Sequence, residues 1–193
     1  MNNFRNTLLI SANELKNANT LISGNVDDDV LSSTILTCQE VYLESITGTA
    51  LYHKLQQLVF NQITNVQGKI NDPANESYKT LLDECIKPFL KARCTVDVLY
   101  NIAFKIRNNG VVKSNDTNIQ NVDIDDIKYL EKQYSTYVDE YSQRLSKYLC
   151  YNKELFPELT ADIPSYFDQP TMGKDYANTG LWLGKKKNRT CGC

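Results

Sequence analysis

Residues 44–55 read ESITGTALYHKL, and no other stretch limits the fold as strongly. An apolar run with helical spacing stops at Thr47-Gly48-Thr49 and resumes at once. A glycine just beyond a helix can take the left-handed conformation that ends it, and a threonine directly after can cap the next helix. The stretch therefore predicts two helices joined at a tight corner. Gly48 and Thr49 form the joint, and Ile46, Leu51 and Leu55 close it over a core.

The pattern is helical on both sides of this corner. Upstream, Ser11 followed three residues later by Glu14 is a capping box, which predicts a short helix over residues 12–18 before Gly24-Asn25 turns the chain. Asp27, Asp28 and Asp29 sit where a helix start favours negative charge. Three consecutive aspartates lack the spread ligands and glycine turn of a calcium loop. Leu31, Ile35, Cys38, Tyr42 and Ile46 make one apolar stripe, continued past the corner by Leu51, Leu55, Leu58, Val59 and Ile63.

The turn signal Asn71-Asp72-Pro73 then leads into two helical stretches meeting at Pro88, which either opens the second or kinks a continuous helix. Near-uniform hydrophobicity from Val96 to Ile106 predicts the central helix of a bundle. Beyond Gly110, Val111–Lys113 and Asn118–Gln120 alternate around a Ser-Asn-Asp-Thr turn, as a small hairpin or protruding loop would. From Asp123 a helical pattern follows whose stripe is rich in tyrosine; roughly 28 residues at 1.5 Å each make a rod of about 42 Å.

The fold class is thus all-α: a bundle of about five helices with a small β-hairpin or protruding loop before a long C-terminal helix, then an extended tail. With 193 residues, 41% hydrophobic and 23% charged, the chain suits one helical domain, residues 1–156, and an irregular docking tail, residues 157–193. A net charge of -2 gives no global basic field for nucleic acid. The run Leu8-Leu9-Ile10 is too short for a signal-peptide core, and nothing approaches a membrane span. Cys38, Cys85, Cys94 and Cys150 fall in helical patterns, as reduced cysteines of a cytoplasmic core do.

No catalytic constellation stands out. His53 is the one histidine, no glycine-rich phosphate loop occurs, and Cys191-Gly192-Cys193 has no further ligands near it in sequence. The chain is expected not to be an enzyme and to need no metal or cofactor. Its candidate functional residues are instead surfaces. Tyr134, Tyr137 and Tyr141 of the long helix, with Val111, Val112 and Ile119 of the hairpin, form a candidate subunit or partner interface. In the tail, Leu181, Trp182 and Leu183 form a candidate anchor, and Lys185, Lys186, Lys187 and Arg189 a candidate cationic contact.

Residues 27–59 also resemble the N-terminal signature of tailed-phage head-to-tail connector proteins, the adaptor or head-completion family. Gln39, Tyr42, Leu43, Ile46, Gly48, Thr49, Leu51, Tyr52 and Leu55 match its spacing, and Cys38 stands where the family pattern has alanine. The likeness covers residues 8–60 well and the helix order loosely through about residue 150, leaving the tail outside. Within that family the chain looks like versions from phages of Bacteroidetes hosts, the crAss-like group included.

The resemblance implies a structural virion protein: a homo-oligomeric ring, typically a dodecamer, between portal and tail. Such a ring extends the DNA channel and offers a tail-attachment platform. Implied partners are the portal protein, further neck or tail proteins and non-specific contact with channel DNA, with no membrane. The implied location is the virion neck, after assembly in the host cytoplasm. The competing expectation is a non-viral helical interaction module with a disordered recognition tail.

Overall fold

Ser11 and Glu14 satisfy each other across the first turn of a helix. The Ser11 N–H donates to Glu14 Oε2 at 3.0 Å, and the Glu14 N–H donates to Ser11 Oγ at 3.1 Å. This reciprocal cap opens α1, Ala12–Ala18. The structure is a computed structural model that describes residues 4–18, 22, 26–107, 110–113 and 124–159. These described residues are mostly helical.

Helix α2, Asp28–Cys38, is capped by Asp27, whose carboxylate accepts the Asp29 N–H at 3.1 Å. The acidic triplet is spent on starting this helix. The rod then widens into a π turn over Gln39–Leu43 and returns to α geometry in α3, Glu44–Thr47. Gly48 follows with φ 76° and ψ 154°, a backbone conformation that L side chains rarely adopt. Helix α4, Thr49–Thr64, starts directly after it. Gly48 itself occupies the cap position, so Thr49 is not the N-cap expected from sequence. Its hydroxyl instead reaches back to Glu44 Oε1 at 2.7 Å and staples the two helices across the corner. Leu51 and Leu55 are fully buried beneath it, and Ile46 is half-buried against the core. The stripe fades before α4 ends: Ile63, expected to continue it, is 71% exposed.

A second continuous rod runs through α5, Glu76–Leu81, a π turn at Leu82–Ile86, and α6, Lys87–Ala103. Pro88 has no N–H to give and its ring would crowd the carbonyl four residues earlier. The π turn sits directly before it, with the Lys87 N–H donating to Leu82 O, so the backbone widens where an ideal α-helix would clash. Helix α6 takes the middle of the fold, packing on α2 and most extensively on α7, Ile124–Tyr151. It ends at Ala103, earlier than expected. Phe104–Arg107 form strand β1, paired antiparallel with β2, Gly110–Lys113. Val111 and Val112 thus pair backwards with Ile106 and Lys105, whereas the expected partner, Asn118–Gln120, lies outside the described residues. Phe104 and Ile106 alternate with Lys105 and Arg107, a strand pattern that ends the helix one turn early.

Phe156 and Leu159 are buried, and the short helical turn Pro157–Leu159 packs on α4. One further expectation changes. Cys38, Cys85 and Cys94 are free and buried, but Cys150 is disulfide-bonded, with its partner outside the described residues. The reduced state read for all helical cysteines therefore fails at Cys150, which is only half-buried at the end of α7 and so open to pairing.

A polar node ties the N-terminal segment to this body. The Leu9 N–H donates to Gln39 Oε1 at 2.7 Å, and Gln39 Nε2 donates to Thr7 O at 3.2 Å. Gln56 Nε2 donates to Arg5 O at 2.6 Å and to Tyr52 Oη at 2.9 Å. Both glutamines are 0% exposed. Beyond the single helical turn Phe4–Asn6, the Arg5 and Thr7 carbonyls and the Leu9 N–H take their partners from these two amides.

Replacing Gln39 with Leu would leave buried backbone groups unpaired. It should destabilise the chain by about 1–3 kcal/mol in urea unfolding, whereas the exposed Gln67→Leu should stay within about 0.5 kcal/mol. Gly48→Ala forces a strained backbone at the corner and should cost about 1–3 kcal/mol, read as a lower thermal midpoint.

Candidate functional site

The only histidine lies at the edge of the polar node. His53 packs against Phe4 and Tyr52, with ring centroids 6.1 and 5.8 Å away. Burial first, and the nearby Arg5 charge second, push its pKa below the ordinary value, while Glu44 partly opposes them. Its neighbour Tyr52 is pushed up to about 12, chiefly by burial. The Cys38 thiol is no more reactive. Cys38 donates to Asp97 Oδ2 at 3.2 Å, and its contact with Cys94, then burial, raise its pKa far above the thiol range. A thiol held neutral in this way is a poor nucleophile.

Asp97 also receives Arg93, whose guanidinium bonds Asp97 Oδ1 at 2.6 Å and stacks over the Tyr42 ring at 3.8 Å. The group closes the contact between α2 and α6. It uses charge to hold packing: Arg93 Nη2 reaches both Asp97 and the Tyr42 hydroxyl, while its Nε is buried without a partner. Among the described residues, no cluster of three or more His, Cys, Asp or Glu could hold a metal ion. Among them too, no helix is long and apolar enough to cross a membrane.

The informative surface lies on α7. Ile127, Leu145 and Leu149 are buried, but no residue between Ile127 and Leu145 is. For more than four turns the helix carries only half-buried or exposed side chains. Tyr134 and Tyr137 meet edge to face with centroids 5.7 Å apart, and Tyr137 is 46% exposed. Tyr129 and Tyr151 stand out further, at 72% and 68%. Of the three tyrosines named from sequence, Tyr141 instead packs against the core. The described surface therefore pairs Tyr134 and Tyr137 and adds Tyr129, which lies off the apolar stripe and left no periodic signal.

Val111 and Val112 are placed as backbone positions of β2, and their side chains are not among those described. Ile119 lies outside the described residues, as do Leu181, Trp182, Leu183, Lys185, Lys186, Lys187 and Arg189. The sequence reading also passed over Gln56 and Arg93. Gln56 was visible as a polar residue on the buried face of α4, and Arg93 as one half of an Arg-x-x-x-Asp helical pair.

Because His53 is depressed, protonating it disfavours the folded state. Its contribution to stability is full above the usual histidine value near about 6.5 and is lost as pH falls through the lower folded value. A single imidazole resonance followed by NMR titration should give a midpoint below the unfolded chain's, and Arg5→Ala should raise it.

Residues 43–164 match the sequence pattern described as "Family of unknown function (DUF6712)". The match begins at the last residue of the first π turn and takes in the corner, both later rods and all of α7. No curated protein and no solved structure matches the chain. With more than half of its length inside this pattern, the chain belongs to the DUF6712 family.

Proposed function

We propose that this chain is a structural, non-catalytic subunit of a ring between the portal and tail of a tailed phage. In this reading the ring, taken as a dodecamer, extends the DNA channel in the virion neck and gives tail proteins a platform. Its finer architecture is a bundle of about five helices with a protruding hairpin and a docking tail. The observation that supports it is the connector-like signature over residues 38–55, together with the use to which the chain puts those residues. Gln39 clamps the N-terminal segment, Tyr52 accepts from Gln39 through its hydroxyl, Gly48 and Thr49 make the corner, and Leu51 and Leu55 fill it.

A signature spent on building a body leaves function to surfaces. Ring closure by head-to-tail contacts needs two different lateral faces on each subunit. The exposed tyrosines of α7 suit one such face, because tyrosine buries area while its hydroxyl stays hydrogen-bonded. The hairpin and the tail, with Leu181, Trp182 and Leu183 as anchor, supply the other reach. Lys185, Lys186, Lys187 and Arg189 would lie near acidic protein or DNA phosphate.

Negative-stain imaging of the full chain, alone and mixed with its portal, is the test. Closed rings are the expected result, and a monomer or dimer that persists with portal would overturn the proposal. Tyr137→Ala should weaken subunit association about tenfold without lowering the thermal midpoint, as loss of an aromatic interface anchor does.

A further inference from the structure

Three hydrogen bonds cross from the first rod to α6 at four-residue steps. Asn101 Nδ2 donates to Thr34 Oγ1 at 2.9 Å, Cys38 Sγ donates to Asp97 Oδ2 at 3.2 Å, and Arg93 Nη2 donates to the Tyr42 hydroxyl at 2.8 Å. Each step up one helix is matched by a step down the other, so the two run antiparallel in one register. Residues three apart share a helix face, which puts Cys94, one turn before Asp97, on the same seam as Cys38. Both cysteines are free and 0% exposed. Their thiols touch, and that contact, ahead of burial, holds the proton on Cys38. Cys85, the other free thiol among the described residues, lies by Arg144 instead.

A cavity of about 350 Å³ opens on this seam, lined by Ser33, Thr34, Thr37, Asp97, Tyr100 and Asn101. Every one of these residues is polar, so the cavity admits a small hydrogen-bonding molecule to the carboxylate that Cys38 touches. Arg93 fixes one oxygen of that carboxylate at 2.6 Å and leaves the other to the Cys38 S–H. Two thiols already in contact have no loop left to close, and loop closure is the main entropic cost of pairing distant cysteines.

We infer that Cys38 and Cys94 are a redox pair: with a small hydroperoxide such as hydrogen peroxide they close to a disulfide that bolts α2 to α6 beside the first π turn. Cys38 keeps its proton in the first step. The Cys94 sulfur attacks the peroxide, an S–O bond forms, the O–O bond breaks, and the Cys94 proton leaves with the departing oxygen as water. The Cys38 sulfur then attacks the Cys94 sulfur. Its proton passes to Asp97 Oδ2 and on to the hydroxide released as the S–O bond breaks, giving a second water. Both thiols are oxidised and one peroxide is reduced. This stands whether or not the chain assembles into a ring.

The test incubates full-length protein with hydrogen peroxide in the absence of denaturant, blocks the remaining thiols and maps the non-reduced peptides by mass spectrometry. The expected product joins the Cys38 and Cys94 peptides. Because the bond closes a long loop of the unfolded chain, the thermal midpoint should rise with it by about 8–16 °C. Cys38→Ala and Cys94→Ala should each abolish both effects. Asp97→Asn still accepts the S–H bond but takes no proton, and it should slow product formation about tenfold or more. Linkage of either cysteine to Cys85 or Cys150, oxidation that stops at sulfinic acid, or no linked peptide from the folded wild-type protein would overturn the inference. So would a linked protein whose midpoint does not rise.

Discussion

Everything on one side of this protein hangs on two buried side-chain amides. Gln39 and Gln56 project from adjoining rods, one from a π turn and one from α4, and between them they bond the Arg5 and Thr7 carbonyls and the Leu9 N–H. A segment without regular structure can cross a core only if something else satisfies its backbone. Because these amides do so, Leu9 and Ile10 can be buried. The Gly48 corner then serves the node as much as the core, since it brings Tyr52 and Gln56 back alongside Gln39.

Much of the helical framework was legible because its signals are local. The capping box at Ser11 and Glu14, the Asp27 cap and the positive φ at Gly48 each depend on residues within a few positions of one another. The bounds of α7 followed from periodicity in the same way. What could not be read depends on distant partners. Nothing near Gln39 in sequence announces that its amide will meet Leu9 and Thr7, thirty residues away or more. The end of α6 was misplaced for a similar reason: Phe104 and Ile106 fit an apolar helix until pairing with β2 is considered.

The surfaces were legible only in kind. Tyrosine enrichment singled out α7, and its stripe mixes exposed and core-packed rings, because a periodic stripe picks the face toward the core. Tyr141 lies on that face and is held by it. Tyr129 and Tyr151 point away and are off the pattern, so exposure, not periodicity, identifies them.

The two π turns set how these faces line up. Each holds one more residue in its ring than an α turn, so everything beyond it is rotated against everything before it. Gln39–Leu43 and Leu82–Ile86 therefore act as phase shifts between an N-terminal and a C-terminal stretch of the same rod. Leu31 and Ile35 can answer α6 while the stretch past Leu43 turns its apolar side toward α4 and α7. One rod speaks to two sets of neighbours without a break in its backbone. Removing a single residue from either turn would leave the helix whole and re-aim half of it.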